Sequence, residues 1–165
     1  MQLTQGDINK ILEEINYRKT ELGPALRERL KVARAQGDLS ENFEYTMAKR
    51  ENNQNNSRVR YLENIVRTAE IIEENDPSDV VGLNKEVTVY YVEDDEEDTF
   101  KFVSSIRGNS MEGRLSLESP IGRALKGHKV GDTVHIKVSD AVAYDVEIRK
   151  IVAVPDDGSD NLRQF

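Results

Sequence analysis

The apolar residues of this chain change period near residue 76, and that change limits what it can fold into. From Ile8 to Ala33 the positions Ile8, Leu12, Ile15, Leu22, Leu26, Leu30 and Ala33 are mostly three, four or seven apart. That spacing makes a narrow stripe along one helix face. Gly23-Pro24 interrupts it. Proline lacks an amide donor and its ring collides with the preceding turn, so a kink or brief break is expected there. Gly37 is expected to end the helix as a left-handed cap. A second helical pattern runs from about Ser40 to about Glu74. Phe43 and Met47 lie at its start, and Val59, Leu62, Val66, Ala69 and Ile72 lie towards its end. Between them "ENNQNNS", Glu51 to Ser57, is polar all round and makes a poor seam. Two helices of about 33 residues joined by a tight turn run antiparallel, each about 50 Å long at 1.5 Å per residue. The rest of so short a chain cannot cover such a hairpin, which is therefore expected to project.

"ENDPSDVVG", Glu74 to Gly82, is polar, contains proline and marks the boundary. Beyond it, Val87–Val92 and Thr99–Ile106 are rich in β-branched and aromatic residues and flank the charged loop "EDDEED", Glu93 to Asp98. Arg114–Leu117 reads as a short strand. "SPIGRALKG" reads as a one- or two-turn helix with Ser119 as cap and Pro120 in its first turn. Strands are expected at Thr133–Val138 and Val142–Val154. "PDDGSDNLRQF" reads as a loose tail. The expected fold class is α+β: an antiparallel coiled-coil hairpin over 1–76, a linker over 77–82, a small antiparallel-sheet domain over 83–155 and a tail over 156–165.

Charge narrows the function. Residues 1–76 hold 12 basic and 14 acidic side chains, a net of −2; residues 77–165 hold 11 and 17, a net of −6. A total of −8 argues against holding nucleic acid by bulk electrostatics. With no cysteine there is no disulfide, thiolate metal site or cysteine nucleophile. The start "MQLTQGDINK" lacks a signal peptide's basic and apolar regions, and no apolar run nears the length of a membrane span, so a cytoplasmic protein with no membrane partner is expected. Enzyme signatures fail as well. No glycine-rich phosphate loop is present, and the second glycine of "GNSMEG", Gly108 to Gly113, comes one residue too late for a nucleophile elbow. His128, in a turn, and His135, in a strand, are expected to be structural or solvent-facing.

"ARAQGDLSENFEY", Ala33 to Tyr45, places Asp38, Glu41 and Glu44 at the turn of the hairpin. Two readings fit. Asp38 with Glu41 three residues later has capping-box spacing, and acids in a first turn complement the helix dipole. Alternatively, carboxylates at the turn contribute nothing to a core. Asp38 and Glu41 can lie within one helical turn and share a hard cation such as Mg²⁺. Two carboxylates alone make a weak site, completed only when another molecule supplies the remaining oxygens.

The same segment followed by "AK", together with "RVRYLENIVRTAEII" and "LSLESPIGRALKGHKVGDTV", resembles the bacterial Gre family of transcript cleavage factors, of GreA type, over nearly the whole chain. The resemblance implies a transcription elongation factor that is not itself an enzyme. Its FKBP-like carboxy-terminal domain would dock at the rim of RNA polymerase's secondary channel while the hairpin enters it. The family's tip acids match Asp38 and Glu41, which would assist a Mg²⁺ shared with the polymerase active site as the polymerase cleaves backtracked RNA. No cofactor is expected in the isolated protein. Glu44 and Asn42 would support the tip. Arg34, Lys49 and Arg50 would touch the 3′ end of nascent RNA, and Ser119, Pro120, Ile121 and Leu125 would dock on the polymerase. DNA-binding enters only by family association, and a monomer is expected. Arg27, Lys31 and Arg34 share a helix face at i, i+4, i+7, where phosphate attraction and plain solvation both fit.

Departures stand beside the resemblance. Phe43 replaces a customary alanine, the asparagine-rich stretch replaces a more ordinary helix, and Arg107 and Asn109 stand where an acidic pair is usual, which bears on docking. No aromatic-lined proline pocket is evident, so the likeness to FKBP isomerases is one of fold. Two other readings remain: a paralogue of the same shape that occludes the channel and inhibits transcription, and a coiled-coil adaptor unrelated to polymerase.

Overall fold

The computed structural model describes residues 1–37 and 42–164. They form two compact units, one spanning Ile8–Ala69 and the other combining Gln2–Asp7 with Glu70–Gln164.

In the helical unit, α1 (Gln5–Tyr17) and α2 (Gly23–Arg34) are joined by a π-helical turn, Arg18–Leu22. Of the kink or brief break expected at Gly23-Pro24, a break does not occur, and the irregularity takes the form of the π turn just before it. Leu22 and Gly23 keep helical dihedrals, and the Gly23 amide donates to the Arg18 carbonyl five residues back. The reason lies in Pro24, which has no N–H to give and whose ring crowds the carbonyl four residues back. One widened turn absorbs both problems without ending the helix. Gly23 is needed there, because a Cβ would stand 2.7 Å from the Arg18 carbonyl oxygen. The stripe also shifts slightly: Ile11 is fully buried and Leu12 faces outward.

The returning helix α3 (Phe43–Thr68) is helical throughout "ENNQNNS". Its polar middle faces the π turn. Asn55, buried, donates from Nδ2 to the Arg18 carbonyl (3.3 Å) and accepts at Oδ1 from the Arg18 guanidinium (3.0 Å). Glu14 receives Arg18 at 2.8 Å and the buried Arg58 at 2.9 Å. Burial pushes the Glu14 carboxyl up, but hydrogen bonds from Arg58 and Arg18, with their charges, outweigh it and hold it below the usual range. Apolar packing resumes on either side of these polar contacts, with Leu26, Ala33 and Ala48 towards the turn and Val59, Leu62 and Ile65 at the other end.

α3 stops at Thr68 rather than near Glu74. Glu70–Ile71 (β2) instead pairs in parallel with Gln2–Leu3 (β1), and the Ile72 amide donates to the Leu3 carbonyl at 2.9 Å.

The second unit is α+β, built on a five-stranded sheet. Its strands are β3 (Lys85–Tyr91), β4 (Glu96–Val103), β5 (Arg114–Ser116), β6 (Thr133–Lys137) and β7 (Ala143–Ala153), in the order β5-β4-β3-β7-β6. All neighbours are antiparallel except β4 and β5, which run parallel, so the sheet is mixed where an antiparallel one was expected. Alternation on β3 sends Val87 and Val89 inward, and Val87 pairs with Phe100. Phe100 and Phe102 meet edge to face at 5.2 Å in the same core. Glu96–Asp98 belong to β4 rather than to the loop, because Tyr91 pairs with Glu96 and leaves a four-residue turn. Ile106 lies in a 3₁₀ turn, Ser105–Arg107. The short helix α4 (Pro120–Leu125) is capped by Ser119 Oγ, which accepts from the Gly122 amide at 3.1 Å.

The closing segment is not loose over its described length. Leu162 is buried and the Arg163 amide donates to the Ile106 carbonyl. Arg107, 1% exposed, donates to Asp7 (2.8 Å), Asn84 (2.7 Å) and Asp160 (3.1 Å), tying the first turn and the closing segment to the sheet. Burial raises the Asp160 carboxyl, but the Lys101 charge, Arg107 and Arg114 outweigh it and leave it below the usual range. Asn109 caps a second 3₁₀ turn, Ser110–Glu112, by accepting from the Met111 amide at 3.1 Å. Both departures from the family pattern therefore serve internal structure. Among the described residues no helix is long and apolar enough to cross a membrane.

Candidate functional site

Asp38 and Glu41 lie outside the described residues; the geometry on either side of them is defined. α2 ends at Arg34, Ala35 and Gln36 turn, and Gly37 has φ +117°, a region L side chains rarely adopt. The chain re-enters helix at Phe43. The cap of α3 is Asn42, whose Oδ1 accepts from the Tyr45 amide at 3.0 Å. The cap of α3 is thus Asn42, while the capping-box reading names Asp38 and Glu41, which lie outside the described residues. The physical reason is position: the helix begins one residue after Asn42, and a cap must immediately precede the first helical turn. Asn42 does a second job. Its Nδ2 donates to the Ala33 carbonyl at 2.8 Å, satisfying an acceptor in the last turn of α2. One amide side chain therefore joins the end of one helix to the start of the next.

Tyr45 follows in the first turn of α3. The Arg34 guanidinium carbon lies 5.8 Å from its ring centroid and Lys49 Nζ lies 6.0 Å away. Two of the three cations expected to touch RNA, Arg34 and Lys49, thus come from opposite helices onto one ring. The arrangement follows from spacing: Tyr45 and Lys49 are i, i+4 on α3, while Arg34 closes α2 beside the Asn42 clamp. Some other hairpin cations are spent on carboxylates, Arg29 on Glu51 and Lys19 on Glu63, while Arg27 and Lys31 have no ion-pair partner among the described residues. Among the described residues Arg34, Lys49 and Arg50 have no ion-pair partner and are exposed. Lys49 and Arg50 line a shallow groove with Thr46 and Asn53. Glu44 is exposed in the first turn of α3, where its charge suits the helix dipole, and borders another groove with Val32 and Ala48. Phe43 is 72% exposed.

The carboxy-terminal candidates divide. Pro120 is exposed and Ile121 half-buried against the core. Ser119 is the α4 cap, and Leu125, fully buried, is a packing residue with no surface to offer a partner. His128 hydrogen-bonds Asp132 and His135 hydrogen-bonds Asp145, both at the surface. Among the described residues no group of three or more histidines and carboxylates could hold a metal. Sequence reading left Asn42 with an undefined supporting part and passed over Tyr45. An asparagine immediately before a helical run is the usual cap signal, and the tyrosine–lysine i, i+4 spacing marked the second.

Comparison with known proteins gives the setting for this geometry. Residues 1–71 match the family model "Transcription elongation factor, N-terminal", and residues 76–153 match "Transcription elongation factor, GreA/GreB, C-term". The transcription elongation factor GreA of Geobacillus kaustophilus is 43% identical over 136 residues, 82% of this chain and 86% of that protein. GreA of Acholeplasma laidlawii is 36% identical over 150 residues, 91% of this chain and 95% of that protein. A solved structure of GreA factor homolog 1 (Gfh1) of Thermus thermophilus aligns over 92% of this chain and 97% of that one at 24% identity, with a TM-score of 0.43, a likeness too loose to bear on the assignment. Two family models in chain order, joined by relatives of matching length, lead to one conclusion: this chain belongs to the GreA/GreB family of transcription elongation factors.

Proposed function

We propose that this elongation factor acts on RNA polymerase in the cytoplasm, as a monomer. The turn of its helical hairpin enters the polymerase's secondary channel and stimulates the polymerase's own cleavage of backtracked RNA, so that arrested complexes resume. Asp38 and Glu41 are the working acids. The donor set fits a hard divalent cation, because both side chains offer carboxylate oxygens three residues apart. Mg²⁺, when bound at the polymerase's centre, supplies Lewis-acid activation of water and neutralises charge on the leaving oxygen. Asp38 and Glu41 contribute oxygens towards that cation and accept hydrogen bonds that orient a water. Arg34, Lys49 and Arg50 attract the phosphates of the RNA 3′ segment.

The observation that carries the reading is the cap. Asn42 holds the helix start, so the structural duty that would have explained Asp38 is already filled. Support also comes from Arg34, Lys49 and Arg50 beside that turn, which have no ion-pair partner among the described residues, in a chain whose net charge is −8. The test is a cleavage assay on halted, backtracked elongation complexes with and without this protein. Shortened RNA that can be re-extended is the expected result. Slowed transcription without cleavage would mark a channel-blocking paralogue, and no effect together with no polymerase binding would mark an adaptor.

A further inference from the structure

We propose that Tyr45 is a positioning residue that gathers Arg34 and Lys49, from two different helices, into one cationic clamp for the RNA phosphates. The proposal rests on the cleavage reading above and names a residue that acts on that same site. Its basis is geometric. Both cations lie within about 6 Å of the Tyr45 centroid, the range in which a ring's negative face attracts a cation. Tyr45 is itself fixed, since its amide is the donor in the Asn42 cap and its ring is half-buried while both cations are exposed. Long exposed side chains ordinarily sample many rotamers, and holding two of them near one point costs entropy and mutual repulsion. A ring within reach of both offsets these costs without neutralising either charge, as a carboxylate would. That distinction matters on this hairpin, where Arg29 and Lys19 are already tied to Glu51 and Glu63. A cation resting on a ring keeps its donors available for phosphate oxygens.

Two measurements test this. In the isolated protein, NMR should find the Lys49 ε-methylene and Arg34 δ-methylene protons displaced upfield by the Tyr45 ring current in wild type and in Tyr45→Phe, and not in Tyr45→Leu. Absence of the displacement in wild type overturns the clamp whether or not the protein stimulates cleavage. On backtracked complexes, Tyr45→Phe should match wild type. Tyr45→Leu should raise the concentration giving half-maximal cleavage about two- to five-fold, with the maximal rate unchanged. The same Leu change in an Arg34→Ala, Lys49→Ala background should add nothing, which a merely structural tyrosine would not predict. A full Leu effect in that background, or none in wild type, overturns the clamp's role in RNA binding. A wild-type protein that stimulates no cleavage overturns the functional reading and that role with it, and the ring-current result still decides the clamp.

Discussion

Single residues at the turn carry more than their sequence neighbourhood advertised. Asn42 was legible as part of a motif and not as the clamp it is, because its two bonds depend on which residue starts α3 and on where the last carbonyls of α2 fall. Asn42→Ala should lower hairpin stability by about 1 kcal/mol, the usual cost of losing a cap, with the added loss of the bond to Ala33. Asn42→Asp keeps the acceptor and loses the donor. Its thermal unfolding midpoint should therefore fall between wild type and the alanine variant, and a value at or below alanine's would contradict the two-bond account. Arg107 is the counterpart in the second unit. Its identity was visible as a departure from the family pattern, yet its purpose was not, since its partners Asp7, Asn84 and Asp160 are scattered through the chain. Arg107→Met should destabilise that unit by about 3–5 kcal/mol, because it leaves Asp7 a buried charge without its partner. Denaturant unfolding followed by near-ultraviolet tyrosine signals would measure it.

At the level of elements, the lesson is how one proline dictates the chemistry of a distant segment. Pro24 forces a π turn, the π turn frees the Arg18 carbonyl from its ordinary place in the ladder, and Asn55 on the other helix supplies a donor to it. The polar run that looked like a defect in the seam is the complement of that turn. A period-based reading cannot find this, because it scores each helix against an ideal 3.6-residue repeat and the π turn breaks the repeat. Gly23→Ala should cost about 1–3 kcal/mol through the clash of its Cβ with the Arg18 carbonyl, although alanine is ordinarily the better helix former. Glu14 makes the same region sensitive to acid. Its carboxyl titrates below the ordinary value in the folded hairpin, so its stabilising pairing with Arg58 and Arg18 is fully present above about pH 4.5 and is lost as pH falls through the lowered value. Helical circular dichroism during acid unfolding should show a steeper loss of stability below about pH 4.5 in wild type than in Glu14→Gln. Equal slopes would remove Glu14 from the account.

Across the whole molecule, the division into a helical part and a small sheet part was readable because the two periods, 3.6 and 2, leave different apolar patterns. Ser119-Pro120 likewise marked its helix correctly. What escaped were long-range pairings with weak local signals. The two-residue strand Gln2–Leu3 borrows β2, and the closing segment is held by Leu162, Asp160 and a backbone bond to Ile106. Leu125, chosen for a partner surface because it sits in a recognisable motif, is buried because α4 needs it to grip the sheet. The motif marked the element without separating its packing residues from its exposed ones.

On the proposed function, Asp38 and Glu41 serve the polymerase's chemistry and not this protein's own fold. The most direct test is the double variant Asp38→Asn, Glu41→Gln on backtracked elongation complexes, with polymerase binding and thermal unfolding measured in parallel. Because Asn42 holds the cap, the variant should unfold at the wild-type temperature and bind polymerase as tightly, while stimulated cleavage falls by about 100-fold or more. Full cleavage by that variant, or a loss of cleavage that merely follows a loss of folding, would contradict the account.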